Sequence, residues 1–178
     1  MMDRELVQKL EDAVWIGRSL FERGKTSGSS ANMSFFHNGT MYISQSGSCF
    51  GTLKADEFAV MDMNGACLSG NKPSKEWPLH LKVYQKKPGT GAVIHTHSKY
   101  ASVFAAAGRS VPVVQPELKR IFGSQVPLAK YGLPGTKTLK KHTIEALGDN
   151  NGCIMTAHGM ICCGRTMEEA FDHCLKLE

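Results

Sequence analysis

Residues 74–98 read SKEWPLHLKVYQKKPGTGAVIHTHS, and both the fold and the chemistry turn on how this stretch is parsed. Gly91-Ala92-Val93-Ile94 is a short apolar run that predicts a buried strand, and His95-Thr96-His97 continues it. Side chains alternate along a strand, so His95 and His97 share a face. Two neutral imidazoles held one residue apart on a rigid strand can both reach one metal ion, since nitrogen is a good ligand for zinc. Upstream, Ser74 is a suitable N-cap, Glu76 suits the positive start of a helix and Pro78 is tolerated in its first turn. The helix predicted there runs through Leu79, Leu81, Val83 and Tyr84. A carboxylate at a helix start is commonly only a dipole partner. Here the chain returns through Pro88-Gly89 straight into the histidine strand, which lets Glu76 and the two imidazoles converge.

A third ligand has to come from elsewhere. Gly152–Ala157 and Met160–Cys163 are two apolar strands interrupted by His158-Gly159, where packing alone would favour an apolar residue. A lone His-X-His is more often incidental than metallic, and an isolated strand histidine usually satisfies a core hydrogen bond. Three such histidines together make an open three-ligand site with a coordination position left for substrate or water. His37, His80, His142 and His173 lack that setting; His80, four residues after Glu76 on the same helix, could support the site from behind, but a structural role is the preferred reading.

Around this centre the remaining pattern is mixed. Glu5 to Gly24 is an amphipathic helix, and Lys25 to Asn32 is a run of small polar residues able to offer hydroxyls and amides to an anion. Short strands follow at Met33–Phe36, Met41–Ile43 and Phe58–Met61, the last facing Ala66–Leu68 across an Asn64-Gly65 hairpin turn. Between them lies a second polar loop, Ser44 to Ser48. After His97 the pattern predicts a helix over 98–107, a strand over 111–114, and a loop over 116–135 with one short helix, in which Tyr131 lines a cleft. Thr136 caps a helix through Leu147, and Thr166-Met167-Glu168-Glu169 is a capping box opening a last helix with Ala170, Phe171, Cys174 and Leu175 as its apolar face.

Composition narrows the function classes. A chain of 178 residues, 42% hydrophobic and 21% charged, fits one globular domain, 1–178. The first residues lack the apolar core of a signal peptide and no run is long enough to span a bilayer, so a cytoplasmic location with no membrane partner is expected. The six cysteines form no CxxC pair and read as reduced core thiols. A net charge of +5 is carried by scattered lysines without interleaved aromatics, which favours small anionic substrates over nucleic acid.

In order along the chain, Ser30-Ala31-Asn32-Met33-Ser34, Ser46-Gly47, Pro73-Ser74-Lys75-Glu76, His95-Thr96-His97 and Ala157-His158-Gly159 resemble the landmarks of the class II aldolase and adducin head domain family. The resemblance runs across nearly the whole chain. It implies a three-layer α/β fold with a central, mainly antiparallel sheet flanked by helices, and a cyclic homotetramer acting on a phosphorylated sugar. It implies Zn2+, or another divalent metal, on His95, His97 and His158, Glu76 as catalytic acid/base, and substrate phosphate on Asn32, Ser46, Gly47 and Ser74. An enediolate is the costly intermediate in such reactions. Lys75 together with Ser46–Cys49 and Tyr131–Gly135 looks most like the acid-sugar branch, whose substrate resembles a 3-oxo-tetronate 4-phosphate and is decarboxylated; Lys75 would offset the added carboxylate. The alternatives are a fuculose-phosphate-type aldolase and a non-catalytic adducin-like module. Two departures stand out: Ala31 replaces a frequent glycine, and the last helix, which continues further in the family, is expected to be cut short at Glu178.

Overall fold

The structure, a computed structural model, describes residues 3–178. Its strands are β1 (Asn32–His37), β2 (Thr40–Ser44), β3 (Phe58–Asp62), β4 (Ala92–Thr96), β5 (Val111–Pro112), β6 (Gln125–Val126), β7 (Leu128–Ala129), β8 (Gly152–Met155) and β9 (Gly159–Gly164). Its helices are α1 (Arg4–Glu22), α2 (Trp77–Lys86), α3 (Lys99–Ala107), α4 (Pro116–Phe122), α5 (Lys137–Leu147) and α6 (Met167–Leu177). Seven strands form one sheet in the order β3-β2-β1-β4-β9-β8-β7, antiparallel throughout except for β7 and β8. That parallel pair follows from its connection: α5 lies between the two strands, and a crossover helix returns the chain in the same direction.

Helices α1, α3, α4 and α6 pack on one face of the sheet, and α2 and α5 on the other, so the expected three layers are present. β4 is buried on both faces, and its alternation sorts the site. Ala92 and Ile94 enter the core under α1 and α6, whereas Val93 enters the core under α2 and α5, which is the side His95 takes by the two-residue period. β1 repeats the pattern: Met33 and Phe35 join the α1 side, leaving Asn32 and Ser34 facing α2. The register then sets Asn32 opposite His95 and Ser34 opposite Val93. Fully buried side chains such as Ile94, Ile154 and Ile161 contribute about 1.5–3 kcal/mol each, so the platform under the site is rigid.

Local departures from the sequence pattern have physical reasons. Asn64-Gly65 does reverse the chain, with Gly65 at φ 93° and Leu68 N–H donating to Val60 O at 2.7 Å, but residues 66–68 form only an isolated bridge at Cys67. Leu68 is 60% exposed, so no core rewards a second strand there. The strand expected at 111–114 has two paired residues and joins β6, not the main sheet. At α2 the cap position is Glu76, not Ser74, although the Ser74 hydroxyl still accepts the Glu76 N–H at 3.3 Å. In the last helix Thr166 accepts the Glu169 N–H at 3.2 Å, while the Glu169 carboxylate turns back to Arg165. Glu178 follows α6 with a buried carboxylate that accepts the Tyr100 and Ala101 N–H groups at 3.0 Å each, closing the first turn of α3. No helix among the described residues is long and apolar enough to cross a membrane.

Candidate metal and catalytic site

His95 is the next-to-last residue of β4, under α2, with Nδ1–H donating to Met160 O at 2.8 Å on the neighbouring strand. A carbonyl only accepts, so this bond fixes the tautomer and leaves Nε2 bare, the arrangement that prepares a histidine for a metal. His97 stands one residue beyond β4, its Nε2 3.0 Å from that of His95. His158 sits in the tight turn between β8 and β9, presented by Ala157 at φ +54°, a left-handed conformation that costs an alanine about 1–2 kcal/mol. The turn is held by Ala157 N–H donating to Ala105 O at 2.9 Å and His158 N–H to Met155 O at 3.0 Å. Gly159, the next residue, lets it close: a Cβ there would lie 2.5 Å from Thr96 O and 2.9 Å from His97 Cδ2.

The three rings form a near-equilateral triangle with centroids 4.8–5.0 Å apart, and the three candidate ligand atoms lie within 4.8 Å of one another. Two nitrogens on one tetrahedral ion are about 3.3 Å apart, close to the His95–His97 spacing. Glu76 faces the same point, with Oε2 3.4 Å from His95 Nε2 and Oε1 3.3 Å from His158 Nε2. Glu76 Oε1 is buried without a hydrogen-bond partner among the described residues, as is His158 Nδ1. An orphaned carboxylate oxygen and imidazoles converging on one point fit a divalent cation, and His95, His97 and His158 are the residues that would hold it.

The electrostatics agree with that fit. Burial opposes ionisation of Glu76, but His95, His158 and the Asn32 amide outweigh it and hold the carboxyl well below its ordinary range. Burial, with His95 beside it, pushes His97 down to about 4 and lowers His158 in the same way. His97 and His158 are therefore neutral and Glu76 is ionised near neutral pH, the forms a metal site requires of them.

These groups open into a cleft of about 460 Å³. Its walls bring together the residues read from the sequence as metal, proton and phosphate groups: Asn32 at the start of β1, Ser46 and Gly47 from the second polar loop, Ser74, Lys75 and Glu76 at the start of α2, and the three histidines. The Ser46 N–H is committed to Lys72 O at 2.9 Å, so the second loop offers an anion the Ser46 hydroxyl and the Gly47 backbone. Pro134 and Gly135 also line the cleft; Tyr131 does not, its side chain standing more than half exposed outside it. Asn32 is already engaged, with Nδ2–H donating to Glu76 Oε2 at 3.0 Å and Oδ1 accepting from His80 Nε2 at 2.6 Å. One amide hydrogen remains for a ligand. His80, read from the sequence as structural, thus touches the site through Asn32; its four-residue step from Glu76 was the available signal.

Comparison with known proteins identifies the family. Residues 11–178 match the family described as Class II Aldolase and Adducin N-terminal domain. The 3-oxo-tetronate 4-phosphate decarboxylase of Escherichia coli K12 is 32% identical over 173 residues, covering 94% of this chain and 82% of that protein. The L-fuculose phosphate aldolase of Methanocaldococcus jannaschii is 33% identical over 156 residues, covering 88% and 84%. A solved L-fuculose 1-phosphate aldolase superposes with a TM-score of 0.91 at 28% identity, covering 99% of this chain and 83% of that one.

Proposed function

We propose a reaction for this chain from the premise that it belongs to the class II aldolase and adducin N-terminal domain family, and that within it the chain is a lyase. The reaction is metal-dependent carbon–carbon cleavage of a phosphorylated sugar acid through an enediolate, with decarboxylation of a 3-oxo-tetronate 4-phosphate as the favoured case. The observation that carries it is the convergence of three imidazoles and one ionised carboxylate in a cleft whose rim holds Lys75 beside two polar loops. When bound at His95, His97 and His158, a divalent ion, zinc in this reading, supplies fixed positive charge that lowers the cost of the negative charge left by cleavage.

The chain's own residues do the rest. Loss of CO₂ breaks the C1–C2 bond of the substrate and leaves its electron pair on C2, conjugated with the C3 carbonyl. C2 must then receive a proton, and Glu76, ionised at rest and facing the site, relays to it one taken up from solvent. Lys75, exposed at the rim, offsets the substrate carboxylate by charge. The Ser46 and Ser74 hydroxyls, the Gly47 backbone and the free Asn32 amide hydrogen hold the phosphate, whose binding energy orients carbons it does not touch.

The aldol relatives favour a second reading, retro-aldol cleavage of a fuculose 1-phosphate-like ketose in the same site. The same proposal includes a cytoplasmic homotetramer, supported by the six unpaired cysteines and by the exposed apolar side chains Tyr100, Val103, Val114 and Leu133, which a neighbouring subunit would cover.

The test is metal content per chain, then turnover of a panel of phosphorylated ketoses and oxo acids. One metal per wild-type chain, lost in His97→Ala, and CO₂ release abolished in a metal-replete Glu76→Gln are the expected results. Aldehyde and dihydroxyacetone phosphate in place of CO₂ would move the assignment to the aldol reading. A metal-free wild type inert to every substrate would refute both in favour of a non-catalytic module.

A further inference from the structure

We propose that His80 is a positioning residue for the proton transfer: it fixes the flip state of the Asn32 amide so that its N–H, and not its carbonyl, faces Glu76. The inference rests on the reading of Glu76 as the proton carrier, and the geometry behind it comes from two periodicities. Glu76, His80 and Tyr84 stand at four-residue steps along one side of α2, and Asn32 and Ser34 stand two residues apart on the face of β1 beneath it.

Five groups link across that interface, and the direction of donation is forced at each step. The ionised Glu76 carboxylate can only accept, so Asn32 turns Nδ2 to it and Oδ1 to His80, and the 2.6 Å contact to His80 is an Nε2–H donor bond. His80 is fully buried, and burial, with only partial relief from Glu76, pushes it down to about 3; the ring is neutral and carries one proton. Its Nδ1 is therefore an acceptor, and the Ser34 hydroxyl at 2.8 Å must donate to it. The Ser34 oxygen is then left to accept from the Tyr84 hydroxyl at 2.8 Å, and burial raises the Tyr84 pKa, which keeps its proton in place. The chain reads Tyr84 to Ser34 to His80 to Asn32 to Glu76, each donating to the next and ending on the carboxylate.

The alternative orientation is costly at both ends. A flipped Asn32 would set its carbonyl oxygen against the Glu76 carboxylate, and would meet the His80 N–H with its own N–H unless the ring proton and the Ser34 hydroxyl behind it both reversed. His80 thus selects one of the two amide states without touching the substrate. A histidine that merely satisfied the core would stabilise the fold equally well in either tautomer.

The test compares wild type with His80→Leu, His80→Gln, Asn32→Ala and the double variant His80→Leu/Asn32→Ala. All are metal-loaded and assayed on whichever phosphorylated substrate the wild type turns over. His80→Leu is expected to lower kcat about 10–100-fold, the range of one misdirected hydrogen bond to a charged group, with KM within about twofold and metal content unchanged. His80→Gln keeps an N–H donor near the Nε2 position and recovers most of the rate. The double variant is no slower than Asn32→Ala, because His80 acts through Asn32. Rate losses that multiply in the double variant, or a wild-type kcat in His80→Leu, overturn the proposal. Nitrogen NMR of the His80 ring gives a readout independent of turnover, so a wild type with no activity would sink the functional reading and leave this one decidable. A bare Nδ1 and protonated Nε2 support it; the opposite tautomer refutes it.

Discussion

Replacing Gly159 by alanine tests whether the site owes its geometry to one close approach of backbones. Gly159 begins β9 immediately after His158 and lies against the end of β4. The added Cβ would sit 2.5 Å from Thr96 O, 2.9 Å from His97 Cδ2 and 3.4 Å from His97 Cα. To reach an ordinary contact near 3.4 Å, the Thr96 carbonyl must retreat by nearly 1 Å and the His97 ring by about 0.5 Å. Thr96 is paired with Met160 in the ladder and fully buried, so its carbonyl cannot swing away as a surface side chain would. Overpacking of this kind costs about 1–3 kcal/mol, and a protein of this size loses roughly 2–4 °C of Tm per kcal/mol. The shift of His97 also exceeds the tolerance of about 0.2 Å on metal–ligand distances, which predicts a roughly 10–100-fold loss of metal affinity. Competition with a chromogenic chelator measures the affinity, and circular dichroism melts measure stability. Gly70→Ala is the control, because a Cβ there meets nothing within 4 Å. A Gly159→Ala protein whose metal affinity stays within about threefold and whose Tm stays within about 1 °C of wild type would refute the argument.

Acid should unfold the chain partly through His80. Its folded pKa of about 3 lies below the unfolded value of about 6.5, so the unfolded chain binds the extra proton between those limits and stability rises with pH across the window. The contribution is fully lost only below about pH 3, at about 1.4 kcal/mol per pH unit; urea melts from pH 4 to 7 should show a shallower slope in His80→Gln, and equal slopes would reject the assignment. Glu178→Ala should cost about 1–2 kcal/mol and speed hydrogen exchange at the Ala101 amide, since the carboxylate accepts the first N–H groups of α3; unchanged protection there would dismiss the clamp. Lys75→Ala should raise KM for an oxo-acid phosphate about fivefold, the effect of one exposed charge, and alter KM for a neutral ketose phosphate far less. Equal changes for both would remove Lys75 from substrate selection.

How legible the site was depended on whether its signal was local. His95, His97 and His158 could be read because each interrupts an apolar strand pattern, and a polar residue where packing favours an apolar one carries its own evidence. Glu76 could be read from its place at a helix start that leads straight back to the histidine strand. β5, β6 and β7 could not, because two residues carry no periodicity and their pairing depends on partners far along the chain. The failure at 66–68 was of the opposite kind: the turn signal was genuine, but strand formation also needs something to bury. His80 was legible only in part, for a third reason. Its step from Glu76 and the alternation of Asn32 with Ser34 are both in the sequence, yet they meet only because β1 pairs with β4 in the register that sets Asn32 against His95.

The placement of the functional groups follows one rule, which explains why so rigid a sheet can host an accessible site. His97 lies one residue past the end of β4, His158 in the turn that joins β8 to β9, and Glu76 at the cap before the first turn of α2. Each stands where regular hydrogen bonding stops, so its side chain is free to face the cleft while the residue beside it is fixed by a ladder or helix bond. The strain of Ala157 at φ +54° is tolerated because the sheet over-determines the turn on both sides. The residues that tune these groups sit one step further in, fully paired: Met160 O on His95, and the His80, Ser34 and Tyr84 chain behind Asn32. Changes in the α1 and α6 core should therefore reduce stability and leave the chemistry intact, whereas changes under α2 should reduce both. The site faces only one of the two cores, and the strand alternation that separates them also separates folding from function.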